Sequence, residues 1–305
     1  MASQPTITTL PGATAILGQA LSLYKQRLVT FLGVMIIPMV LIGVIAIFVA
    51  FVAGGLLTLF SLKFAAGGIG LLIILAIILG LAFFLIGLIT QTWGQTALLY
   101  AIKDSQEGIG VVEAYRRGWH KILSYWWVSI LTGLITMGGF LLFVVPGIIF
   151  VVWFGLAPFV LIAEDLKGMN VLLKSREYVK GKWGGVFWRF FFIGALSLIV
   201  SLAVTFIFGL IPYVKYVAQY VIGLFLIPLM MTYGFLVYTS LKALKGEIAF
   251  APTLGQKAKF IIVALLGFLF ILAILFSIYF FLIGFYFFSH EVPWPPTYNF
   301  KPRIF

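Results

Sequence analysis

Basic residues in two stretches of the sequence, interleaved with tryptophans, form the candidate site with the most distinctive chemistry. Ammonium and guanidinium groups near a membrane surface attract anionic headgroups, by about 1 kcal/mol for each residue. The pattern therefore predicts contacts with anionic lipids or an acidic protein partner, and ordinary topology determinants beside an aromatic belt are the alternative. The candidate contacts are Arg116, Arg117, Lys121, Lys174, Arg176, Lys180, Lys182 and Arg189.

Arg189 differs from the other candidates because it lies about one helical turn inside an apolar stretch. A guanidinium at that depth must extend back to the interface or find a polar partner within the protein. Its substitution is therefore the most informative of the series.

Carboxylates and amides at the ends of two apolar stretches form a second candidate cluster. Glu164 and Asp165 close one stretch, where they could bind a cation, relay protons or form salt links to nearby basic residues. Gln91 and Gln95 lie among threonines at the end of another stretch. They could line a cleft or a conduction path, and hydrogen bonding between helices is the alternative.

Several kinds of chemistry are excluded by the residues that the chain lacks. It has no cysteine, and its two histidines, His120 and His290, are too few for a multi-histidine metal site. The G-x-S-x-G, H-E-x-x-H and Walker-type glycine patterns are absent. We therefore predict no catalytic residue, metal or cofactor, although a carboxylate and a lysine can suffice for an enzyme and this class stays open.

The composition places these residues in a membrane protein. Hydrophobic residues make up 63% of the 305 residues and charged residues 9%, against roughly 45–50% and about 25% in soluble domains. A soluble fold of this size cannot hide so much apolar surface, whereas lipid removes the problem. The sequence therefore predicts an all-α polytopic transmembrane helical bundle.

The chain contains apolar stretches that are long enough to cross a bilayer, which takes about 20 residues. Val145-Pro146-Gly147 separates two of them and predicts a tight turn. A glycine-rich stretch from Gly54 to Gly68 is expected to connect the first two. Six stretches are clear and a seventh, 148–163, is shorter, which leaves six or seven spans. The predicted spans are 28–52, 69–92, 122–144, 148–163, 186–210, 216–241 and 260–287.

The distribution of basic residues predicts the orientation. With these spans, sixteen of the 20 Lys and Arg residues fall on one side of the membrane, and this side should be cytoplasmic. The N-terminus is then cytoplasmic and the C-terminus extracytoplasmic, in the inner membrane of a prokaryotic cell. The net charge of +12 is explained by this bias, so no nucleic-acid partner is predicted.

A low-resolution repeat organises the predicted single transmembrane domain, residues 1–288. Three times, a basic amphipathic segment precedes a helical hairpin and is expected to lie in the membrane interface. These segments are 13–27, 110–121 and 169–183, within repeats 13–108, 109–168 and 169–246. An extra C-terminal span, 260–288, and a proline- and aromatic-rich tail, 289–305, follow.

Three short motifs resemble a bacterial and archaeal family. They are Pro146-Gly147-Ile148-Ile149-Phe150 leading to Ala157-Pro158, Val171-Leu172-Leu173-Lys174-Ser175, and Val179-Lys180-Gly181-Lys182-Trp183. In this order they are similar to the membrane domains of some glycerophosphoryl diester phosphodiesterases and related six-span proteins. The resemblance covers roughly 110–245 and implies a membrane location. It implies no catalytic residue here, because the soluble catalytic barrel of the larger relatives has no counterpart in this sequence.

Three functional hypotheses follow from these observations. The first is a non-catalytic membrane module that interacts with lipid or a partner protein. The second is a transporter of small molecules or lipid, for which internal repeats are a precedent. Transporters typically contain broken helices or buried charges at mid-membrane, and the sequence shows neither clearly. The third is a membrane-embedded enzyme that acts on phospholipid-like substrates.

Overall fold

The computed structural model describes residues 9–63, 69–211, 213–246, 248, 250 and 252–291. Within these residues the chain is all-α, with no strand. The α-helices are α1 (Ala13–Gln26), α2 (Leu28–Lys63), α3 (Ile69–Lys103), α4 (Val111–Trp119), α5 (Ile122–Leu142), α6 (Val144–Phe154), α7 (Ala157–Glu164), α8 (Met169–Val179), α9 (Trp183–Phe208), α10 (Val214–Lys245) and α11 (Leu254–Glu291).

The structure confirms an all-α polytopic bundle, with seven segments long and apolar enough to cross a membrane in the described part of the chain. Helices α2, α3, α10 and α11 extend beyond the predicted spans, whereas α5 and α9 each end two residues before theirs. Most of the predicted tail, from residue 292 onward, lies outside the described residues. The seven segments are Leu28–Thr58, Ile73–Lys103, Ile122–Leu142, Val144–Glu164, Trp183–Phe208, Val214–Lys245 and Leu254–Phe285.

The first predicted connection between spans lies elsewhere than expected, and the second is confined to the last part of the predicted stretch. The chain reverses at Phe143, which is extended at φ −169° and ψ 161°, whereas Pro146 and Gly147 belong to the first turn of α6. Proline is tolerated in a first turn because its missing N–H has no partner there in any helix. Gly54 lies inside α2, which continues to Lys63 because its apolar sequence favours a helix throughout. Residues 64–68 lie outside the described residues.

The candidate span Val144–Glu164 is broken near its midpoint, which was not predicted from the sequence. Helix α6 ends at Phe154 and α7 begins at Ala157, with Gly155 and Leu156 between them. Pro158 has no N–H, so it cannot donate to the Phe154 carbonyl as the fifth residue of a continuous helix would. This candidate span is thus discontinuous, and broken helices are one of the two features of transporters that the sequence does not show clearly.

Helix α7 is central, packing against α3, α5, α8 and α10. Helix α8 is also enclosed: Val171, Leu172, Leu173, Lys174, Ser175, Tyr178 and Val179 are all buried. These positions surround the helix axis, in contrast to the one-sided stripe of the expected interfacial helix. The reason is that α8 packs against α5, α6, α7 and α10 together.

Helix α4 is fastened to the hairpin of α2 and α3. The Tyr115 hydroxyl donates to the Val34 carbonyl at 2.7 Å, and the Trp93 indole N–H donates to the Tyr115 carbonyl at 2.8 Å. Burial raises the pKa of the Tyr115 phenol. A Cβ at Gly118 would lie 2.8 Å from the Ala97 nitrogen, so glycine is required for this close approach. Whether α1 and α4 lie in the membrane interface stays a prediction.

Candidate functional site

Glu164 is the centre of a buried polar cluster at the end of α7. Its side chain is only 13% exposed. One oxygen, Oε1, accepts hydrogen bonds from the hydroxyl of Tyr178 on α8 and, at 2.8 Å, from that of Tyr238 on α10. The two tyrosine rings pack edge to face with centroids 5.6 Å apart. Glu164 therefore joins the end of the broken span to two neighbouring helices.

Two lysines approach this carboxylate. Lys174 Nζ lies 3.6 Å from Glu164 Oε2, and Lys242 Nζ lies 3.7 Å from Oε1. The Lys174 side chain is 9% exposed and also donates to the Ile248 carbonyl at 2.5 Å, whereas Lys242 is 37% exposed. A single carboxylate thus faces two ammonium groups, and the formal charges of these three side chains leave one positive charge unmatched.

A cavity of about 360 Å³ opens beside this cluster, lined by Ala163, Glu164, Lys174, Tyr178, Lys242 and Ile248. We refer to it as the Glu164 pocket. Its net positive charge favours an anionic ligand, and each ammonium has N–H groups beyond the one that faces the carboxylate. Within the described residues, no group of three or more His, Cys, Asp and Glu side chains could hold a metal ion.

The structure places the eight predicted basic contacts in different surroundings. Arg117 is bound by three carboxylates, with its nitrogens 2.5 Å from Asp104, 2.9 Å from Glu107 and 3.0 Å from Glu113. These hydrogen bonds raise the pKa of Arg117. Its charge is therefore matched inside the protein and is less available to a lipid.

Lys121 and Arg176 are also engaged by other side chains. Lys121 forms an ion pair with Asp165, while burial, with Lys167 and Lys103 nearby, lowers the pKa of Lys121. The Arg176 guanidinium carbon lies 4.8 Å from the ring centroid of Trp153, a cation–π contact. The three remaining surface residues, Arg116, Lys180 and Lys182, are exposed. Arg116 and Lys180 also lie 3.8 Å from Glu113 and Glu177, so contacts of these three residues with headgroups stay a prediction.

Arg189 forms the hydrogen bonds within the protein that a guanidinium at its depth requires. Its side chain is buried, and Nε and Nη2 donate to the carbonyls of Pro11 and Leu10, each at 3.0 Å. Nη1 donates to the Gly185 carbonyl at 2.6 Å. Arg189 thus holds the segment before α1 against α9 and is not free for a headgroup.

We expect Arg189→Met to destabilise the protein by about 1–3 kcal/mol, since it leaves the carbonyls of the half-buried Leu10 and Pro11 without these donors. The segment at Leu10 and Pro11 should then become accessible to protease in detergent micelles, while the rest of the bundle stays protected. Arg189→Lys keeps the charge but not the planar fork, so it should show an intermediate effect. Equal protease resistance of Arg189→Met and wild type would contradict this role.

The predicted polar cluster of Gln91, Gln95, Glu164 and Asp165 is dispersed. Gln95 Oε1 accepts from the Tyr125 hydroxyl at 2.7 Å, which bridges α3 and α5. Gln91 faces a separate cleft next to α2 and α10. Asp165 pairs with Lys121, and only Glu164 belongs to the pocket. Interhelical hydrogen bonding, the alternative for the glutamines, therefore applies to Gln95.

Three members of the cluster around Glu164 were not predicted from the sequence: Tyr178, Tyr238 and Lys242. Lys242 was counted only among the sixteen basic residues of the predicted cytoplasmic side. No local pattern distinguishes the two tyrosines from other tyrosines in apolar helices. The available signal was indirect, because a carboxylate at the end of an apolar span requires donors from neighbouring helices.

Comparison of the chain with protein-family models, curated proteins and solved structures finds no match. The class of the protein follows from its fold: seven segments in the described residues are long and apolar enough to cross a membrane, as in a multi-pass integral membrane protein.

Proposed function

We propose that the protein is a non-catalytic membrane module that binds the phosphate of an anionic lipid in the Glu164 pocket. The observation that carries this proposal is the shared carboxylate: Lys174 and Lys242 both face Glu164, and one positive charge is left unmatched. A phosphate oxygen that accepts from both ammonium groups would neutralise this surplus with charge-assisted hydrogen bonds.

The predicted orientation is consistent with such a ligand. It places the pocket on the cytoplasmic face of a prokaryotic inner membrane, where anionic lipids create a negative surface potential. Seven of the eight acidic residues fall on the same side as sixteen basic ones, so this face has a large positive surplus. Arg116, Lys180 and Lys182 are then secondary contacts. The resemblance to membrane domains of phosphodiesterases that act on glycerophosphodiesters supports a phospholipid-related role.

Mass spectrometry of lipids that co-purify in native-lipid discs tests the proposal. We expect Lys242→Gln to reduce bound phosphatidylglycerol about tenfold relative to wild type, the equivalent of one lost charge-assisted contact. Lys25→Gln is the matched control, because it removes an exposed charge that the predicted orientation places on the same face. Equal losses in both variants would show a non-specific surface effect and would refute the pocket.

A reporter fused after Phe305 tests the predicted topology. With seven spans and a cytoplasmic N-terminus, we expect alkaline phosphatase at this position to be active, because it requires export to form its disulfides. A green fluorescent protein fused after Lys182 is expected to fluoresce on the cytoplasmic side. Activity of a cytoplasmic reporter fused after Phe305 would contradict either the seventh span or the predicted orientation.

A transporter is the second candidate, favoured by the broken span Val144–Glu164. A cavity of about 340 Å³ lies beside the break and includes Tyr125, Ser129, Thr132 and Gly155 in its lining. Substrate sites of many transporters lie at discontinuous helices, where the ends of the half-helices face the substrate or a coupled ion. Lipid or solute movement in proteoliposomes that persists in Lys242→Gln but is lost in Gly155→Leu would favour this alternative.

A further inference from the structure

We propose that the cleft between α2, α3 and α10 binds a neutral glycerolipid, with its ester or hydroxyl oxygen at Gln91 and Gln219. This site is separate from the Glu164 pocket, and the inference does not rest on the function proposed there. The cleft has a volume of about 620 Å³, within the range of small-molecule sites. Its lining residues are Met35, Met39, Ile42, Gly43, Gln91, Gln219, Tyr220, Gly223, Leu224 and Ile227.

The lining determines the chemistry of the occupant. It contains no charged side chain, so a phosphate or ammonium group would find no counter-charge there. Most of the surface is aliphatic and includes Met35 and Met39, whose flexible thioethers adapt to irregular apolar ligands. A hydrocarbon chain is therefore the main part of the ligand.

Two amide side chains in this apolar lining, Gln91 and Gln219, require hydrogen-bond partners. Gln219 uses one donor on the Thr205 hydroxyl at 3.3 Å, and its carbonyl stays available. Within the described part of the chain, the Gln91 amide has no hydrogen-bond partner. Gln91 is exposed on the protein surface within a candidate span, and an unpaired amide that faces lipid costs several kcal/mol in the absence of water. An uncharged oxygen on the ligand satisfies these amides, whereas a plain hydrocarbon does not.

Two glycines leave room for the ligand. No protein atom lies within 4 Å of a Cβ built at Gly43 or Gly223, so neither glycine serves the packing of one helix against another at that point. Both positions are helical and line the cleft. A larger side chain at Gly223 would therefore occupy the space of the ligand without pushing the helices apart.

Photolabelling of the full chain in lipid discs tests the proposal, with a photoactivatable diacylglycerol as the probe. We expect labelled peptides from α2 and α10, and about tenfold less labelling of them in Gly223→Leu. Gln91→Leu should reduce labelling severalfold by removing the hydrogen bond without filling the cleft. Gly284→Leu is the control, because it places the same side chain on an exposed face of α11, and its labelling should equal that of wild type.

Each outcome decides the proposal. Unchanged labelling in Gly223→Leu, or equal labelling of the cleft by a phosphatidylglycerol probe with the same acyl chains, would overturn it. Thermal unfolding of each variant keeps the result interpretable, because Gly223→Leu should unfold at the same temperature as wild type or higher. Lys242→Gln should leave labelling of the cleft unchanged. The headgroup proposal can thus fail while this one stands, and the reverse also holds.

Discussion

Glu164→Leu is expected to lower the free energy of unfolding by about 3–5 kcal/mol, the usual cost of removing one partner from a buried ion pair. The substitution leaves the ammonium of Lys174, which is 9% exposed, without its carboxylate. It also removes the acceptor of the Tyr178 and Tyr238 hydroxyls. Because these groups lie on α7, α8 and α10, the loss should affect the centre of the bundle and not one helix end.

The measurement is thermal and denaturant unfolding in detergent micelles, with two companion variants. Lys242→Met removes a more exposed partner and should cost less than about 1 kcal/mol, as expected for partly solvated pairs. The double variant Glu164→Leu/Lys174→Met removes the uncompensated charge together with its partner. We expect it to recover more than half of the stability lost in Glu164→Leu. If the double variant were less stable than the single one, the buried charge would not be the cause.

The helices were predictable from the sequence because their signal is local. A run of about 20 apolar residues is sufficient to indicate a span. Even 148–163, shorter than the others, lies within Val144–Glu164, a segment long and apolar enough to cross a membrane. The break in this span was less visible, although Gly155 and Pro158 both lie within the apolar run. Their spacing, with Gly three residues before Pro, was the available signal for a discontinuous helix.

The candidate site was only partly predictable, because its geometry depends on contacts between distant segments. Glu164 was identified as a carboxylate at a membrane boundary, but the sequence offered several salt-link partners without selecting Lys174 and Lys242. Arg189 shows the same limit. Its depth required a partner, yet the partners are main-chain carbonyls at Leu10 and Pro11, which no side-chain pattern can indicate. A sequence shows where charge lies, whereas tertiary packing determines which charge is matched.

Gly138→Leu is expected to separate α11 from α5, with a loss beyond the roughly 1–3 kcal/mol of ordinary overpacking. A Cβ at Gly138 would overlap the carbonyl oxygen of Val263, and one at Gly267 would overlap that of Leu134. Both obstacles are main-chain atoms, which cannot move aside as a flexible side chain can. Small residues at helix crossings permit this close approach in membranes, where apolar side chains gain little by leaving lipid.

The absence of native cysteines provides a direct measurement of this separation. A single cysteine introduced at Ala264, which is 7% exposed, reports α11 docking through its reaction with a fluorogenic thiol dye in micelles. We expect the dye to react at a lower temperature in Gly138→Leu than in the parent. Gly133→Leu is the matched control on α5, because no atom lies within 4 Å of a Cβ there. Similar reaction temperatures for the two variants would show that the glycine contact does not hold α11 in place.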